Sequence, residues 1–195
     1  PYQPRRRPGK LRGPGILPIG ILGLILVFPY TKWSTRRPLI CLVAPGLGFG
    51  PLMVMGTDFV LTGGFSWMAF VASLVPFFLV SDLLLLNQFP DVEADRTIGR
   101  DHLPIRIGLR ASARVYNLML ILAYVSIVAG WALEVLPAGG LLGLTTLIIA
   151  VPVMRGVPRF ADDIPHLIPF MGRNVLINIA TPVLIAIGLF LSGRP

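Results

Sequence analysis

Between Asn87 and Arg100 the chain concentrates side chains that bind cations and phosphates: Asn87-Gln-Phe-Pro-Asp91-Val-Glu93-Ala-Asp95-Arg96-Thr-Ile-Gly99-Arg100. Three carboxylates fall within five residues, and two guanidiniums follow. Carboxylates packed this closely repel one another, and a cation is the usual remedy. Magnesium takes hard oxygen ligands, keeps several waters, and is typically held by one or two carboxylates plus substrate phosphates. The Asp91-x-x-x-Asp95 pair therefore suits a magnesium-bound diphosphate. Arg96 and Arg100 are placed to neutralise further phosphate oxygens by charge-assisted hydrogen bonds. Asn87, Asp91 and Asp95 are spaced i, i+4, i+8, which predicts one shared helical face with about 40° of drift per step. Pro90 kinks such a helix. The same residues also read as a solvated loop closed by internal salt bridges, and their types alone leave both readings open.

The elements that position these residues are membrane helices. Charged residues make up 13% of the 195 and apolar residues 54%, with a mean hydropathy of +0.78. A soluble domain carries roughly 25% charged residues, so lipid is the solvent that this composition suits. Long unbroken apolar runs exclude the alternating short strands of a β-barrel. In lipid each segment must pair its own backbone groups, which leaves helices. A span needs about 20 apolar residues, and five runs qualify, at roughly 38–56, 66–86, 115–133, 138–154 and 175–191. A sixth, 16–30, is shorter and holds Pro18 and several glycines. The fold class expected is an all-α, polytopic transmembrane bundle of about six helices, with residues 1–15 as a basic N-terminal segment and 16–195 as the membrane domain.

Charge sets the orientation. Lys32, Arg36 and Arg37 precede the second run; Arg96, Arg100, Arg106, Arg110 and Arg114 follow the third; Arg155, Arg159 and Arg173 lie between the last two. The alternate connections, 57–65 and 134–137, hold no Lys or Arg. Positive charge stays on the cytoplasmic side, so the Asp91 segment is expected there and the C-terminus outside. Arg5, Arg6, Arg7, Lys10 and Arg12 fit this rule only if 16–30 does not span or the native start lies elsewhere. The first residue is Pro, which suits truncation or processing. No small-residue cleavage site marks a signal peptide. The net charge of +8 does not indicate nucleic acid, because the cations cluster at membrane boundaries.

Other polar and small residues have plainer roles. Cys41 reads as a buried hydrophobe, and His102 and His166 belong to no ligand spacing. Gly46, Gly48 and Gly50 lack the strand-to-helix setting of a phosphate loop and read as close helix packing. Asp82 lies inside a span, where a charge costs about 2.5–3.5 kcal/mol or more; it falls opposite Asp91 and reads as protonated or paired. Asn174 and Asn178 read as interhelical hydrogen bonders. Tyr30, Trp33, Trp67 and Trp131 read as interfacial anchors.

The stretch from Asn87 to Gly108, ending Leu103-Pro-Ile-Arg106-Ile-Gly108, resembles the second aspartate-rich motif of the UbiA superfamily of intramembrane prenyltransferases. It is most similar to the MenA-like branch, the 1,4-dihydroxy-2-naphthoate polyprenyltransferases, whose motif runs Asn-x-x-x-Asp-x-x-x-Asp-x-x-x-Gly-Lys. Phe49-Gly-Pro-Leu-Met-Val-Met-Gly56 and Leu167-Ile-Pro-Phe-Met-Gly172 also look like that branch. Arg100 stands for the usual Lys, and Asp101 and His102 for a basic residue and Thr. The resemblance implies a nine-helix fold whose last six helices this chain matches. No earlier Asn-Asp-x-x-Asp motif precedes them, so the chain looks like an enzyme without its first three helices and half of its metal site.

The implied chemistry is magnesium-assisted ionisation of a polyprenyl diphosphate and attack of the allylic cation on an aromatic acceptor, 1,4-dihydroxy-2-naphthoate for menaquinone. Asp91 and Asp95 are then the catalytic magnesium ligands, Asn87 supports them, and Arg96, Arg100 and Lys32 hold diphosphate. Arg106 ends the motif and serves equally well as a phospholipid or helix-end contact. The implied setting is a bacterial-type inner membrane with the active site on the cytoplasmic side. The partners are the diphosphate, the acceptor and the bilayer, with no nucleic acid. Two other readings stand beside this one: a truncated or degenerate non-catalytic module, and a small transporter. The transporter needs acids along an ion path inside the spans, where Asp82 stands alone.

Overall fold

The structure is a computed structural model that describes residues 37–193 and the isolated position Ile21. The expected 16–30 span (Ile21 apart, which is helical), the basic 1–15 segment, Tyr30, Lys32 and Trp33 lie outside the described residues. Among the described residues the chain is helical and contains no strand. Five helical stretches among the described residues are long and apolar enough to cross a bilayer. They alternate in direction and form a polytopic bundle.

The first stretch, Pro38–Thr62, is one span of 25 residues. It comprises α1 (Pro38–Leu47), a π-helical turn (Gly48–Leu52) and α2 (Met53–Thr62). Pro38 occupies the first turn, where its missing N–H costs nothing. Pro51 would clash with the carbonyl four residues back in a regular α-helix, and the π turn accommodates it. Gly63, with φ of 85°, ends α2. The Asp58 carboxylate then accepts from both the N–H and the hydroxyl of Ser66, each at 2.9 Å, and the Ser66 hydroxyl caps α3 by accepting from Ala69 N–H at 3.1 Å. The sequence-based connection at 57–65 is thereby shortened, because 57–62 is helical.

Helix α3 (Trp67–Asn87) is the hub, packed by α1, the π turn and two later spans, Leu109–Ala132 and Ile164–Leu191. Two short helices follow at its end, α4 (Val92–Thr97) and α5 (Leu103–Ile107). Then come α6 (Leu109–Ala132), a 3-10 segment (Ala138–Thr146) leading into α7 (Leu147–Arg159), and α8 (Ile164–Leu191). Besides the first span, three helices overrun their expected ends. Arg110 and Arg114 sit on the first turns of α6, Arg155 and Arg159 on the last turns of α7, and Arg173 within α8. Long cationic side chains extend a helix beyond the hydrocarbon because their charges reach the headgroup level.

Lipid tails are as apolar as Leu, so helix association in the bilayer rests on close packing and polar contacts. Both are present. A Cβ on Gly50 would lie 2.6 Å from the Ser73 carbonyl oxygen, and Gly46 abuts Phe77 and Ser81. Gly188 of α8 meets the Gly139 backbone of the 3-10 segment, and Gly156 meets the Phe170 ring. Gly48 by contrast faces open space. Inside, the Tyr116 hydroxyl donates to Asn174 Oδ1 at 2.9 Å, and Asn174 Nδ2 donates to Asp82 Oδ1 at 3.3 Å. This joins α6, α8 and α3 and gives Asp82 a pairing role. Asn178 bonds within α8, to the Asn174 carbonyl. Tyr124, Thr146 and Thr181 form a second linked set at 2.8 Å spacings. Outside, Leu118, Ile121, Val125 and Val128 run down the exposed face of α6. Trp67 and Trp131, at helix ends, are also exposed.

Candidate functional site

The expectation of one helical face through Asn87, Asp91 and Asp95 is corrected by a break. Helix α3 stops at Asn87, Gln88 to Asp91 form a turn around Pro90, and α4 starts afresh at Val92. A proline lacks the N–H that the helix would need there. The turn nonetheless brings the three groups together. They line one recess of about 230 Å³ with Cys41, Leu84, Gln88, Arg100 and His102, at the end of the α3 span. Gln88 Nε2 donates to Cys41 Sγ at 3.3 Å, tying the end of α3 to α1.

The local sequence explains how α4 delivers its side chains. Asp91 occupies the N-cap of α4, but its carboxylate caps nothing. It enters no ion pair or side-chain hydrogen bond among the described residues, and it is exposed. Four residues on, Asp95 is buried. The helix then closes at Gly99, whose φ is 73°. Gly99 N–H donates to the Arg96 carbonyl at 3.2 Å, and Arg100 N–H to the Asp95 carbonyl at 3.0 Å. That is the paired bonding of a glycine-terminated helix end. The turn sends the Arg100 side chain back over Asp95, where Nη1 donates to Oδ1 at 2.8 Å. The Asp-x-x-x-Gly-Arg spacing is thus the last turn of one short helix plus its stop.

The other Asp95 oxygen, Oδ2, lies 3.0 Å from His102 Nε2. His102 caps α5 with its backbone, its carbonyl accepting from the N–H groups of Ile105 and Arg106. The residue is only 2% exposed, and its Nδ1 is buried without a partner among the described residues. Burial pushes the imidazole below its ordinary pKa, while the Asp95 hydrogen bond and charge resist the fall. Sequence reading missed His102. Its signal was the spacing of seven from Asp95 across a glycine stop, just ahead of Leu-Pro.

The remaining expected residues fall elsewhere. Arg96 is exposed and does not line the recess. Arg106 pairs with Asp101, and Arg110 with Asp162. Lys32 lies outside the described residues. Among the described residues no group of three or more His, Cys, Asp or Glu side chains is arranged to hold a metal ion. A larger hollow of about 530 Å³, lined almost wholly by apolar side chains of α6, α7 and the 3-10 segment, opens on the outer face. It offers room for an acyl chain and holds none of the acids.

Comparison with known proteins follows the same lines. The UbiA prenyltransferase family profile matches residues 11–164, most of the chain. The chain belongs to the UbiA prenyltransferase family. A 2-carboxy-1,4-naphthoquinone phytyltransferase from Synechocystis sp. (strain ATCC 27184 / PCC 6803 / Kazusa) is 27% identical over 125 residues. The match covers 64% of this UbiA chain and 39% of the relative's length. No solved structure matches the chain at a significant level. The recess lies within the part matched to UbiA, and the five spans together with that membership make the chain an integral membrane protein.

Proposed function

We propose that this chain carries the diphosphate-holding side of a membrane prenyltransferase. The reaction is transfer of a polyprenyl group from its diphosphate to an aromatic acceptor, first of all 1,4-dihydroxy-2-naphthoate, as menaquinone biosynthesis requires. The observation that carries the reading is the convergence of Asn87, Asp91, Asp95 and Arg100 on one recess where a span ends. The name of the Synechocystis relative couples a phytyl group with a carboxynaphthoquinone, which supports an isoprenoid donor and a bicyclic acceptor.

Magnesium fits these residues as a half-site. The Asp91 carboxylate makes no ion pair or side-chain hydrogen bond among the described residues, the Asn87 amide shares its recess, and each Asp95 oxygen keeps a lone pair beyond the one that accepts from Arg100 or His102. When bound, the ion supplies Lewis-acid and charge-stabilising chemistry to a departing diphosphate. On the protein's side, Asp91 and Asp95 would hold the cation, directly or through water. Asn87 orients the pair. Arg100 takes a diphosphate oxygen, with Arg96 as a second contact from outside the recess lining, and Lys32 is assigned to the diphosphate by resemblance alone. The outer apolar faces admit the prenyl tail from the bilayer. The recess shares its end of the bundle with Arg106, Arg110 and Arg159, which supports a cytoplasmic active site at an inner membrane.

A second reading, a non-catalytic module of the same family, draws support from one fact: both Asp95 oxygens are engaged by the protein itself. Magnesium-dependent binding of a non-hydrolysable prenyl diphosphate analogue in lipid nanodiscs separates the two. Saturable binding that disappears in Asp91→Ala/Asp95→Ala supports a working half-site. Absence of such binding in the wild type refutes it and leaves the module.

A further inference from the structure

Asp95 is gripped from two sides that differ in freedom. The Arg100 side chain on Oδ1 is 45% exposed, whereas that of His102 on Oδ2 is 3% exposed. Arg100 stands just past a turn with open space around it, since nothing lies within 4 Å of a Cβ built on Gly99. It can turn from Oδ1 to a phosphate oxygen and exchange one charge-assisted bond for another. His102 has no such freedom. Its backbone caps α5 and its ring is enclosed. An ionised carboxylate oxygen only accepts, so Nε2 donates to Oδ2 whatever the charge on the ring. The buried Nδ1 has no partner among the described residues. A residue that merely filled space behind Asp95 would be better as Leu or Phe, because a buried polar atom without a partner is unfavourable.

The geometry points to His102 as a positioning residue for Asp95: its Nε2–H pins Oδ2, so that departure of Arg100 toward a diphosphate frees Oδ1 for a cation while the carboxylate keeps its orientation. This deepens the proposed function and rests on it. A side chain fixed before its ligand arrives loses no further rotamer freedom on binding. Partners behind a metal ligand typically change metal affinity by about 10- to 100-fold when removed. Arg100 belongs to the exchange and His102 to the frame, a division that their exposures already mark.

Two measurements test it. The chain has two histidines, so 15N-histidine labelling in nanodiscs gives one set of ring resonances for His102 and one for exposed His166. His102 is expected as the Nε2–H form, with an Nε2 shift that moves in Asp95→Asn; an Nδ1–H form overturns the proposal. The second measurement is affinity for a non-hydrolysable geranylgeranyl diphosphate analogue with magnesium. His102→Leu should weaken it about 10- to 100-fold, and His102→Gln, whose amide N–H reaches the same carboxylate, should restore most of it. In an Asp95→Ala background His102→Leu should change nothing further, as coupling between touching residues requires. Wild-type affinity in His102→Leu, or the same loss with and without Asp95, overturns the proposal. If His102→Leu fails to fold, His102→Asn, too short to reach Oδ2, replaces it. If the wild type binds no analogue, the functional reading falls, and the ring tautomer alone decides the role of His102.

Discussion

Replacing Gly99 by Ala should loosen the grip on Asp95 without touching a neighbour. Gly99 has a φ of 73°, and no heavy atom lies within 4 Å of a Cβ built there. The penalty is therefore conformational alone, about 1–2 kcal/mol for an L-residue in the left-handed region. That amounts to a factor of roughly 5–30 in a local equilibrium. It falls on the turn whose bonds run from Gly99 N–H to Arg96 O and from Arg100 N–H to Asp95 O. Hydrogen exchange across 95–106 in nanodiscs should accelerate by about that factor, with α3 and α6 unchanged. Asn tolerates this conformation better than Ala, so Gly99→Asn should lie between glycine and alanine, and Gly99→Val beyond both. Exchange at the wild-type rate in Gly99→Ala, or Asn as damaging as Val, would show that the left-handed turn does not hold the site. Acceleration spread through α3 and α6 would trace the effect to packing and refute the reasoning equally.

Other outcomes follow from contacts described above. Asn174→Leu strips both the Tyr116 hydroxyl and Asp82 Oδ1 of a partner and should cost about 1–2 kcal/mol in steric-trap unfolding, near the upper end measured for hydrogen bonds in membranes; Tyr116→Phe should cost less. Gly188→Val must push the Gly139 backbone away and should lower the melting temperature in detergent, an overpacking penalty of about 1–3 kcal/mol. Gly48→Ala, in open space at a φ of −63°, should leave that temperature unchanged or raised. Asp91→Asn should remove magnesium-dependent binding of the diphosphate analogue by calorimetry. Asp101→Asn, whose residue pairs with Arg106, should retain it.

Hydropathy located the spans well because the bilayer demands a fixed length of apolar chain, as α3 shows: 66–86 expected, Trp67–Asn87 observed. It located helix ends poorly. Arg110, Arg114, Arg155 and Arg159 belong to helices that continue into the headgroup region, where polarity no longer reports backbone state. The 3-10 winding of Ala138–Thr146 left no period distinct from that of α7. At the site, Asn87, Asp91 and Asp95 were legible from type and spacing, but the helix through them was not, since a proline between two good helix segments can kink or break. The pairing of Asp95 with Arg100 and His102 depends on a left-handed turn at Gly99 and on a cap three residues later. Those are three-dimensional closures that a one-dimensional spacing does not reveal. Asp82 read as protonated or paired, and the amide that bonds it lies 92 positions away, beyond the reach of any local spacing.

The π turn at Gly48–Leu52 has a bearing on how this chain tolerates changes in length. Such a turn holds one residue more than an α-turn would, the footprint of a single-residue insertion inside a helix. Deleting one residue there would restore regular winding and leave the helix beyond it facing nearly the same way, because the wide turn already takes up about one extra residue. Gly46, upstream, would keep its seat against Phe77 and Ser81. Asp58, downstream, would stay close to Ser66, which it ties through two bonds, and the hairpin between the first two spans would keep its clasp. The π turn is therefore the one place between Gly46 and Asp58 where a lost codon is absorbed; a deletion in the regular winding of α2 would instead turn Asp58 by about 100° away from Ser66.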